Sequence, residues 1–279
     1  MTDNDNRPSQ SERAARFSAL HAGPKPFVIA NPWDAGSARV LAGLGFEALA
    51  TSSGGFAGTL GRRDGGVTRD EALDHARAIC AAVDLPVSAD LENCFGHEPA
   101  YVAETIRLAA ATGLVGCSVE DFTGDMGDPF YTMEAAAERV AAAAEAAASV
   151  GFDFTLTART ESFLRGNPDL DNVIARLRAY EAAGADVLMA PGLPDLDAVK
   201  AVCGAVSKPV NFMAGIPAKS FPIADLAAAG VRRISLATSL YRAAMTGLAA
   251  AVAEVQEQGT FGYVDTSMPG PELYGYMRG

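Results

Sequence analysis

The sequence predicts an α/β fold, a (β/α)8 TIM barrel with an N-terminal helix and a C-terminal helical extension. Eight short apolar runs alternate with eight helical segments, as expected for parallel strands that are joined by helices. A short motif recurs along the chain, in which a predicted helix ends at a glycine and a predicted strand follows directly, as in Ala183-Gly184-Ala185-Asp186-Val187. An open doubly wound sheet is the alternative, but such a sheet rarely needs eight regular units.

The apolar runs are typical of buried parallel strands, which helices cover on the outside. The predicted strands are residues 27–30, 48–51, 87–89, 115–119, 154–158, 187–190, 210–213 and 233–236. Three central runs end in ionisable residues: Asp90 after the third, Glu120 after the fourth and Arg159 after the fifth. Because the carboxyl ends of barrel strands meet at the face that carries the chemistry, we expect these side chains to converge.

The helical segments lie between the runs and carry ordinary end signals. Asp34, Thr68 and Thr132 can cap helix amino termini. Glycines such as Gly113 and Gly184 follow helix carboxyl termini. The predicted helices are residues 11–20, 35–43, 69–83, 99–112, 133–150, 171–183, 196–206, 218–229 and 238–256.

No linker or change of composition divides the chain, so residues 1–279 are predicted to form a single domain. Residues 1–10 are expected to be a disordered polar tail, and residues 257–279 a C-terminal extension. The connections 52–66 and 121–131 are long and glycine-rich, and both leave the face where the strands end. Such loops are candidate lids over a pocket.

Composition limits the expected partners of the chain. Its 34 acidic and 22 basic residues give a net charge of −12, which disfavours nucleic acid and anionic membranes as partners. A small anionic substrate would therefore need arginine or a metal ion close to it. The chain has no apolar run of membrane-spanning length and no signal-peptide core, and its four cysteines show no CxxC pairing. These features predict a cytoplasmic protein with reduced thiols.

Carboxylates at the strand ends are the candidate metal ligands. Asp90 ends the third strand, Glu92 follows it by two residues, and Glu120 ends the fourth strand. Hard cations prefer oxygen ligands, and Mg2+ needs only one or two carboxylates because it keeps several waters. The residues therefore predict a Mg2+ site, with Mn2+ as an alternative ion. Salt bridges of these acids with Arg159 and Arg139 are the competing interpretation.

Arg159 and the segment after the second strand are the candidate substrate-binding groups. An arginine inside an apolar run must be paired, and its planar fork suits a substrate carboxylate. A purely structural pair with Glu161 or Glu120 is the alternative for Arg159. The small residues Ser52, Ser53 and Gly54 leave backbone N–H groups free to hold a carboxylate or an enolate oxygen. A flexible hinge is the alternative for this segment. Asp64 lies in the same loop, where a solvated tip is the plain expectation.

Amides and histidines give weaker signals. Asn31 ends the first strand and Asn211 lies in the seventh, so each can bind a substrate oxygen or serve as a structural cap. His21 and His75 fall in predicted surface helices, whereas His97 lies nearer the catalytic face. No pair of histidines has the spacing of a metal site.

The cysteines are predicted to be packing residues. Cys117 lies within a strand, and Cys94 lies in the loop after the third strand, where it is expected to be more exposed. A nucleophilic thiol needs a lowered pKa and an adjacent base, and the sequence identifies neither.

Several ordered motifs together resemble the isocitrate lyase/phosphoenolpyruvate mutase superfamily, as a divergent member similar to carboxyvinyl-carboxyphosphonate phosphorylmutase. The resemblance runs from about Arg16 to Gln256. It is carried by Asn31-Pro32-Trp33-Asp34-Ala35-Gly36-Ser37-Ala38-Arg39, Ser52-Ser53-Gly54, Leu60-Gly61-Arg62-Arg63-Asp64, Ser88-Ala89-Asp90, Val119-Glu120-Asp121 and Ala158-Arg159-Thr160-Glu161.

The resemblance implies a barrel that assembles as a homotetramer, with the C-terminal helix exchanged between neighbours. It implies Mg2+ and an oxo-acid substrate that passes through a pyruvate-like enolate. By position, Asp90 would hold the metal with Glu120 nearby, and Arg159 would bind the anionic substrate. The Ser52–Gly54 segment would hold the pyruvyl oxygens, and Asp64 would lie on a gating loop.

Three departures mark a divergent member. The Lys-Lys/Arg-Cys-Gly-His motif of the carbon–carbon lyases is replaced by Thr123-Gly124-Asp125-Met126-Gly127-Asp128-Pro129, which has no cysteine acid. The common Asp-Ala-Asp is Ser88-Ala89-Asp90, and the histidine after the sixth strand is replaced within Met189-Ala190-Pro191. The expected activity is a Mg2+-dependent lyase of small 2-oxo or 2-hydroxy di- or tricarboxylates. A P–C bond enzyme and a non-catalytic oxo-acid binding protein are the alternatives.

Overall fold

The computed structural model describes residues 7–277 and confirms the predicted (β/α)8 barrel. All strand pairs are parallel, in the order β1-β8-β7-β6-β5-β4-β3-β2, and a bridge between Ala30 and Leu49 joins the two ends of this sheet. The strands are β1 (Phe27–Ile29), β2 (Leu49–Ala50), β3 (Val87–Asp90), β4 (Gly116–Glu120), β5 (Thr155–Arg159), β6 (Val187–Met189), β7 (Val210–Met213) and β8 (Arg233–Ser235).

Helices surround the sheet, and their ends are capped as the sequence predicts. The side chains of Asp34, Thr68 and Thr132 each accept a hydrogen bond from the backbone N–H three residues later. The helices are α1 (Gln10–Ala22), α2 (Ala35–Gly43), α3 (Ser53–Thr59), α4 (Arg69–Ala82), α5 (Pro99–Ala110), α6 (Met133–Ala148), α7 (Leu170–Ala182), α8 (Leu196–Ala205), α9 (Ile223–Ala228), α10 (Ser239–Gln258), α11 (Tyr263–Thr266) and α12 (Gly270–Tyr276).

The N-terminal segment packs against the amino end of the barrel. Of the predicted tail, residues 1–6 lie outside the described residues, and Ser9 caps α1 through a capping box with Glu12. Phe17 of α1 is fully buried and meets the ring of Phe27 at the start of β1 edge to face. Helix α1 therefore contributes to the core rather than lying loosely outside it.

Two expectations about local structure are wrong. The segment 52–66 is not a simple loop, because α3 forms within it and Ser52 caps this helix by accepting from the Gly55 N–H. The histidines of α1 and α4 are not on the surface. His21 is 6% exposed, and the His75 ring stacks on Phe56 with centroids 3.9 Å apart. Both helices turn these rings toward the barrel.

The C-terminal helices contrast with the rest of the fold. Helix α10 has no buried residue, and apolar side chains such as Met245, Leu248 and Val252 are exposed along it. Helix α12 returns to the barrel, where Tyr276 packs closely against Gly43 of α2. Within residues 7–277, none of the helices combines the length and apolar character needed to cross a membrane.

Candidate functional site

Two adjoining cavities open at the carboxyl ends of the strands. The outer cavity has a volume of about 680 Å3 and the inner one about 370 Å3. Ser53, Asp64, Arg159 and Arg165 line both of them. A groove of about 740 Å3 lies at the opposite, amino end of the barrel. The strand-end charges lie at the carboxyl end, where barrel enzymes carry out their chemistry, so the site is described there.

Arg159 lies at the centre of the strand-end charges. Its Nε is 2.5 Å from Glu161 Oε1 and 3.4 Å from Glu120 Oε2, and its Nη1 is 3.7 Å from Asp90 Oδ2. The predicted convergence of β3, β4 and β5 is therefore observed. Glu161, which the sequence suggested only as a structural partner of the arginine, makes the shortest of the three contacts.

Asp90 is held by groups from the second strand and the loop after it. Its Oδ2 accepts a hydrogen bond of 3.0 Å from the Ser53 hydroxyl, and its backbone N–H donates to the Thr51 hydroxyl at 3.1 Å. Its Oδ1 accepts from the Glu92 N–H at 3.2 Å. Glu92 has a φ of 50°, a left-handed conformation, so this contact belongs to a tight turn after β3. The site is thus tied to α3 through Ser53.

A second layer of hydrogen bonds fixes Glu161. This side chain is fully buried, and its Oε2 accepts from Arg165 Nε at 3.1 Å. Its backbone N–H donates to Asp121 Oδ1 at 2.8 Å, while Asp121 Oδ2 accepts from Tyr180 Oη at 2.6 Å and Arg176 Nη1 at 3.1 Å. Asp121 therefore holds the turn after β5 through the Glu161 N–H, while its neighbour Glu120 contacts Arg159.

Burial and crowding shift the protonation of these groups. Burial raises the pKa of Glu120 well above its ordinary value, although Arg159 opposes this shift. Burial, with the charges of Asp90 and Asp64, raises the pKa of Glu92 to about 8. Burial and Asp90 also raise the pKa of Asp64. Burial alone lowers the pKa of Arg159, but the carboxylates around it, Glu161 first, raise it above its ordinary value.

The segment Ser52–Gly54 forms the start of α3 beside Asp90. The first-turn N–H groups of a helix have no partner within it, so those of Ser53 and Gly54 need other acceptors. A Cβ at Gly54 would lie 2.9 Å from Thr238 Cγ2 and 3.2 Å from Asp64 Cγ, so only glycine fits this contact. Ser52, in contrast, already uses its hydroxyl as a helix cap.

The two predicted amides differ in how many partners they have. Asn31 donates through Nδ2 to the Thr51 carbonyl at 3.1 Å, and its Oδ1 accepts from the Leu236 N–H at 2.9 Å. These bonds fit the structural alternative for Asn31. Asn211 is 1% exposed and donates to Ser235 Oγ at 3.0 Å, but its buried Oδ1 has no partner within residues 7–277. Both amides line the inner cavity.

Arg233 was missed by the sequence reasoning. It starts β8, pairs in register with Asn211 and lines the floor of the inner cavity with 5% exposure. Its Nη1 donates to Thr157 Oγ1 at 3.2 Å, and its buried Nε has no partner within residues 7–277. Burial lowers the pKa of Arg233 to about 10. The available signal was an arginine within the eighth apolar run, which is the same signal that identified Arg159.

The remaining candidates have structural surroundings. His97 lines the outer cavity, and its Nδ1 lies 2.7 Å from Tyr131 Oη. The expectation that Cys94 is exposed is wrong, because it is fully buried under the turn after β3. Burial raises the pKa of Cys94 to about 12 and that of Cys117 well above its ordinary value. Both thiols therefore stay protonated, in agreement with a packing role.

The donor set fits Mg2+ rather than a soft metal. Among residues 7–277, no three His, Cys, Asp or Glu side chains form a preassembled metal cluster. Mg2+ does not require one, because one or two carboxylates with waters and substrate oxygens complete its shell. Asp90 and Glu120 approach the same guanidinium. Burial, with the neighbouring acids adding to it, raises the pKa values of Glu120 and Glu92, and a divalent cation would favour the charged forms of both.

Comparisons with known proteins show which family the chain resembles. The model of the phosphoenolpyruvate phosphomutase family matches residues 17–256. An oxaloacetate decarboxylase of Ectopseudomonas mendocina is 30% identical over 212 residues, which cover 73% of this chain and 71% of that protein. The 2-methylisocitrate lyase of Escherichia coli K12 is 29% identical over 202 residues, which cover 70% of this chain and 67% of that protein.

A solved structure extends the likeness over almost the whole chain. A Burkholderia cenocepacia J2315 protein described as a lyase or mutase is 50% identical, has a TM-score of 0.94, and the match covers 96% of each chain. The resemblance inferred from the sequence motifs is thereby confirmed. The chain belongs to the phosphoenolpyruvate phosphomutase family, within the isocitrate lyase/phosphoenolpyruvate mutase superfamily of carbon–carbon lyases and mutases.

Proposed function

We propose that the chain is a Mg2+-dependent carbon–carbon lyase that acts on a small 2-oxo or 2-hydroxy di- or tricarboxylate. The observation that carries the proposal is Arg159, which lies between Asp90, Glu120 and Glu161 at the mouth of a polar cavity. Such a site binds an anionic group and a hard cation side by side. The oxaloacetate and 2-methylisocitrate named for two relatives fall in the same substrate class.

The residues have distinct roles in this proposal. Asp90 and Glu120 hold Mg2+, with Glu92 beside them, and Arg159 binds the substrate carboxylate. When bound, Mg2+ supplies a Lewis acid that polarises the substrate oxygens. For a 2-oxo acid such as oxaloacetate, breaking the bond to the far carboxylate releases CO2 and leaves the electron pair on the pyruvyl fragment as an enolate. For a 2-hydroxy acid, the hydroxyl loses its proton and becomes the carbonyl of the oxo-acid product, while the electron pair of the broken bond goes to the other carboxylate fragment, which is then protonated. The first-turn N–H groups at Ser53 and Gly54 stabilise the negative oxygen that develops, and removing one such donor typically costs about 100-fold or more in rate.

Asp64 is proposed to act from the loop after α3. It packs against Gly54 and lines both cavities, so movement of this loop changes access to the substrate. Asn211 is proposed to bind a substrate oxygen or hydroxyl, because its buried Oδ1 lacks a partner in the described chain. Asn31 lines the same cavity, and its amide holds the Thr51 carbonyl in place.

Phosphorus–carbon chemistry is the second candidate. Two observations favour it: the matching family is that of a phosphomutase, and the segment 121–131 has no cysteine acid of the lyase type. The same binding groups would then hold a phosphonopyruvate. A binding protein that retains the platform without turnover is the third outcome that the experiment below distinguishes.

Turnover with and without metal tests the proposal. Oxaloacetate, 2-methylisocitrate, 2,3-dimethylmalate and phosphonopyruvate are assayed with Mg2+ and with EDTA. We expect Mg2+-dependent cleavage of one of the first three. Turnover of phosphonopyruvate alone would favour the second candidate, and Mg2+-dependent oxalate binding without turnover would favour the binding protein. Activity that persists in EDTA would contradict the metal assignment.

The Asp90→Asn variant tests the metal site directly. It removes the charge but keeps the shape of the side chain, so we expect Mg2+-dependent oxalate binding to fall by at least about tenfold, measured by titration calorimetry. Asp125→Asn, in the exposed part of the segment 121–131, is the matched control and should bind as the wild type does. Affinity within about twofold of wild type in Asp90→Asn would place the metal elsewhere.

We propose a homotetrameric assembly in the cytoplasm as well. Helix α10 is 20 residues long, buries none of its residues and exposes Met245, Leu248 and Val252 with helical spacing. A second copy of the chain can cover this surface, as the helix exchange implied by the motif resemblance would require. Light scattering of the full chain measures the assembly.

A further inference from the structure

Arg165 is a cation at the site that the proposed mechanism does not use. It lies in the turn after β5 and lines both cavities, with its side chain 30% exposed. Its guanidinium carbon lies 3.9 Å from the ring centroid of Phe122, and its Nε donates to Glu161 at 3.1 Å. The stacking and the hydrogen bond fix the plane of the guanidinium. No hydrogen bond within residues 7–277 uses its terminal nitrogens.

Glu161 aligns two arginines at once. Its Oε1 engages Nε of Arg159 at 2.5 Å, and its Oε2 engages Nε of Arg165 at 3.1 Å. Each arginine thus contributes Nε to the buried carboxylate and keeps terminal nitrogens for other acceptors. Because both side chains line both cavities, the site presents two guanidinium groups that one carboxylate holds at a fixed separation.

The other charged groups around the outer cavity leave Arg165 available for an anion. Arg69 also lines this cavity, but its Nη1 is bonded to Glu104 at 2.7 Å, and its Nε, which has no partner within residues 7–277, is buried out of reach of a ligand in the cavity. Asp64 and Glu92 line the same cavity and would repel a negative group. An anion that extends from Arg159 into the outer cavity is therefore best received at Arg165.

We propose that Arg165 binds a second carboxylate of the substrate, at the end remote from the 2-oxo acid group, and thereby selects dicarboxylates over monocarboxylates. This inference rests on the proposed function, because it takes Arg159 as the site of the first carboxylate. A neutral side chain at position 165 would leave this remote carboxylate desolvated without a partner, which lowers affinity only for ligands that carry it.

Two ligands separate the role of Arg165 from that of the metal site. Oxalate carries only the two-carbon group expected at Arg159 and Mg2+, whereas 3,3-difluorooxaloacetate adds a second carboxylate two bonds further on. Both are titrated into the Mg2+-loaded full chain by calorimetry. We expect Arg165→Met to lower the affinity for 3,3-difluorooxaloacetate by at least about tenfold and the affinity for oxalate by less than about twofold. Arg165→Lys should recover part of the loss.

The matched control is Arg178→Met, which removes one positive charge from the exposed face of α7, where Arg178 Nε donates to the Ala205 carbonyl. It should bind both ligands as the wild type does. Circular dichroism and thermal unfolding check that each variant is folded. For any oxo-acid substrate that is turned over, Arg165→Met should raise KM for a dicarboxylate more than it lowers kcat.

The outcomes separate failure of this inference from failure of the proposed function. Equal weakening of both ligands would show that Arg165 acts only by holding Glu161, and no weakening would show that it binds nothing; either result overturns the inference. Selective weakening in a protein that turns over none of the assayed substrates would support the subsite and reject the lyase. A wild type that binds neither ligand would overturn both.

Discussion

The two ends of the barrel differ in what surrounds their buried ionisable side chains. At the carboxyl end, three carboxylates gather around Arg159 at N–O distances of 2.5 to 3.7 Å. Toward the amino end, on the floor of the inner cavity, the side chain of Arg233 makes no ion pair within residues 7–277, and its guanidinium carbon lies 5.7 Å from the Phe17 ring centroid. His21 stacks edge to face on Phe17 and Phe27 nearby and is held neutral.

This difference separates groups that can exchange partners from groups that cannot. At the carboxyl end, each charge has a partner that, under the proposed function, a substrate or a cation would replace, so binding would cost little reorganisation. At the amino end, the aromatic ring of Phe17 lies beside both the Arg233 guanidinium and the His21 imidazole, and no ion pair within residues 7–277 involves either group. The barrel thus surrounds its buried ionisable groups with ion pairs near the carboxyl end and with aromatic contacts near the amino end.

Arg159→Met should have the largest effect, because it removes the counter-charge shared by Asp90, Glu120 and Glu161. Breaking a buried ion pair by removing one partner typically costs about 3–5 kcal/mol, and we expect a loss of this size in the free energy of unfolding. Urea denaturation of the metal-free protein at pH 7 measures it. Ligand binding should be lost as well.

A double mutant sharpens this result. Glu120→Gln removes one of the crowded charges, so in the Arg159→Met background it should recover part of the lost stability, with a coupling energy of about 0.5–3 kcal/mol. Additive effects of the two changes would mean that these side chains do not interact. That result would contradict the description of the carboxyl end as a network of ion pairs around Arg159.

Arg233→Met tests the amino end with the same substitution. The variant removes a desolvated cation while keeping most of its volume, so we expect the free energy of unfolding to rise by on the order of 2 kcal/mol rather than fall. The hydrogen bond to Thr157 is lost, which offsets part of the gain. A clear loss of stability in the urea titration would show that Arg233 has a charged partner in solution.

Sequence patterns predicted more of the carboxyl end than of the amino end. Strand-end positions of Asp90, Glu120 and Arg159 follow from the alternation of strands and helices, because parallel strands all end at one face. The contacts of Glu161 with two arginines depend on side-chain directions within a turn, and no spacing rule specifies these. His21 was predicted wrongly and Arg233 was missed, because helix and strand periodicity indicates which face is apolar, not that an ionisable group is buried there.

Helix α3 shows a second limit of the sequence patterns. Its seven residues include Gly54, Gly55 and Gly58, and glycine lowers helix propensity, so a loop was the natural prediction. The helix forms because Ser52 caps it and because the small residues allow close packing. A Cβ at Gly58 would lie 2.6 Å from Tyr241 Oη, for example. Tertiary packing of this kind cannot be deduced from local propensity.

Protonation of His21 should have the smallest effect on the free energy of unfolding, and this effect is visible only when stability is measured as a function of pH. Burial and the charge of Arg233 lower the pKa of His21 to about 3, whereas the unfolded chain keeps an ordinary value near 6.5. Stability from the neutral ring is therefore complete above pH 6.5 and is lost as the pH falls toward 3. Relative to His21→Phe, the wild type should lose about 1 kcal/mol between pH 7.5 and pH 5.5, measured by urea denaturation.

The two amino-end residues are linked in this measurement. Because Arg233 helps to lower the pKa of His21, the Arg233→Met variant should raise the pKa of the imidazole in the folded protein, followed by NMR of its ring protons. Burial remains, so the pKa should stay below 6.5. An unchanged pKa would mean that the aromatic packing alone keeps His21 neutral, and the amino end would then hold two independent buried groups rather than one coupled pair.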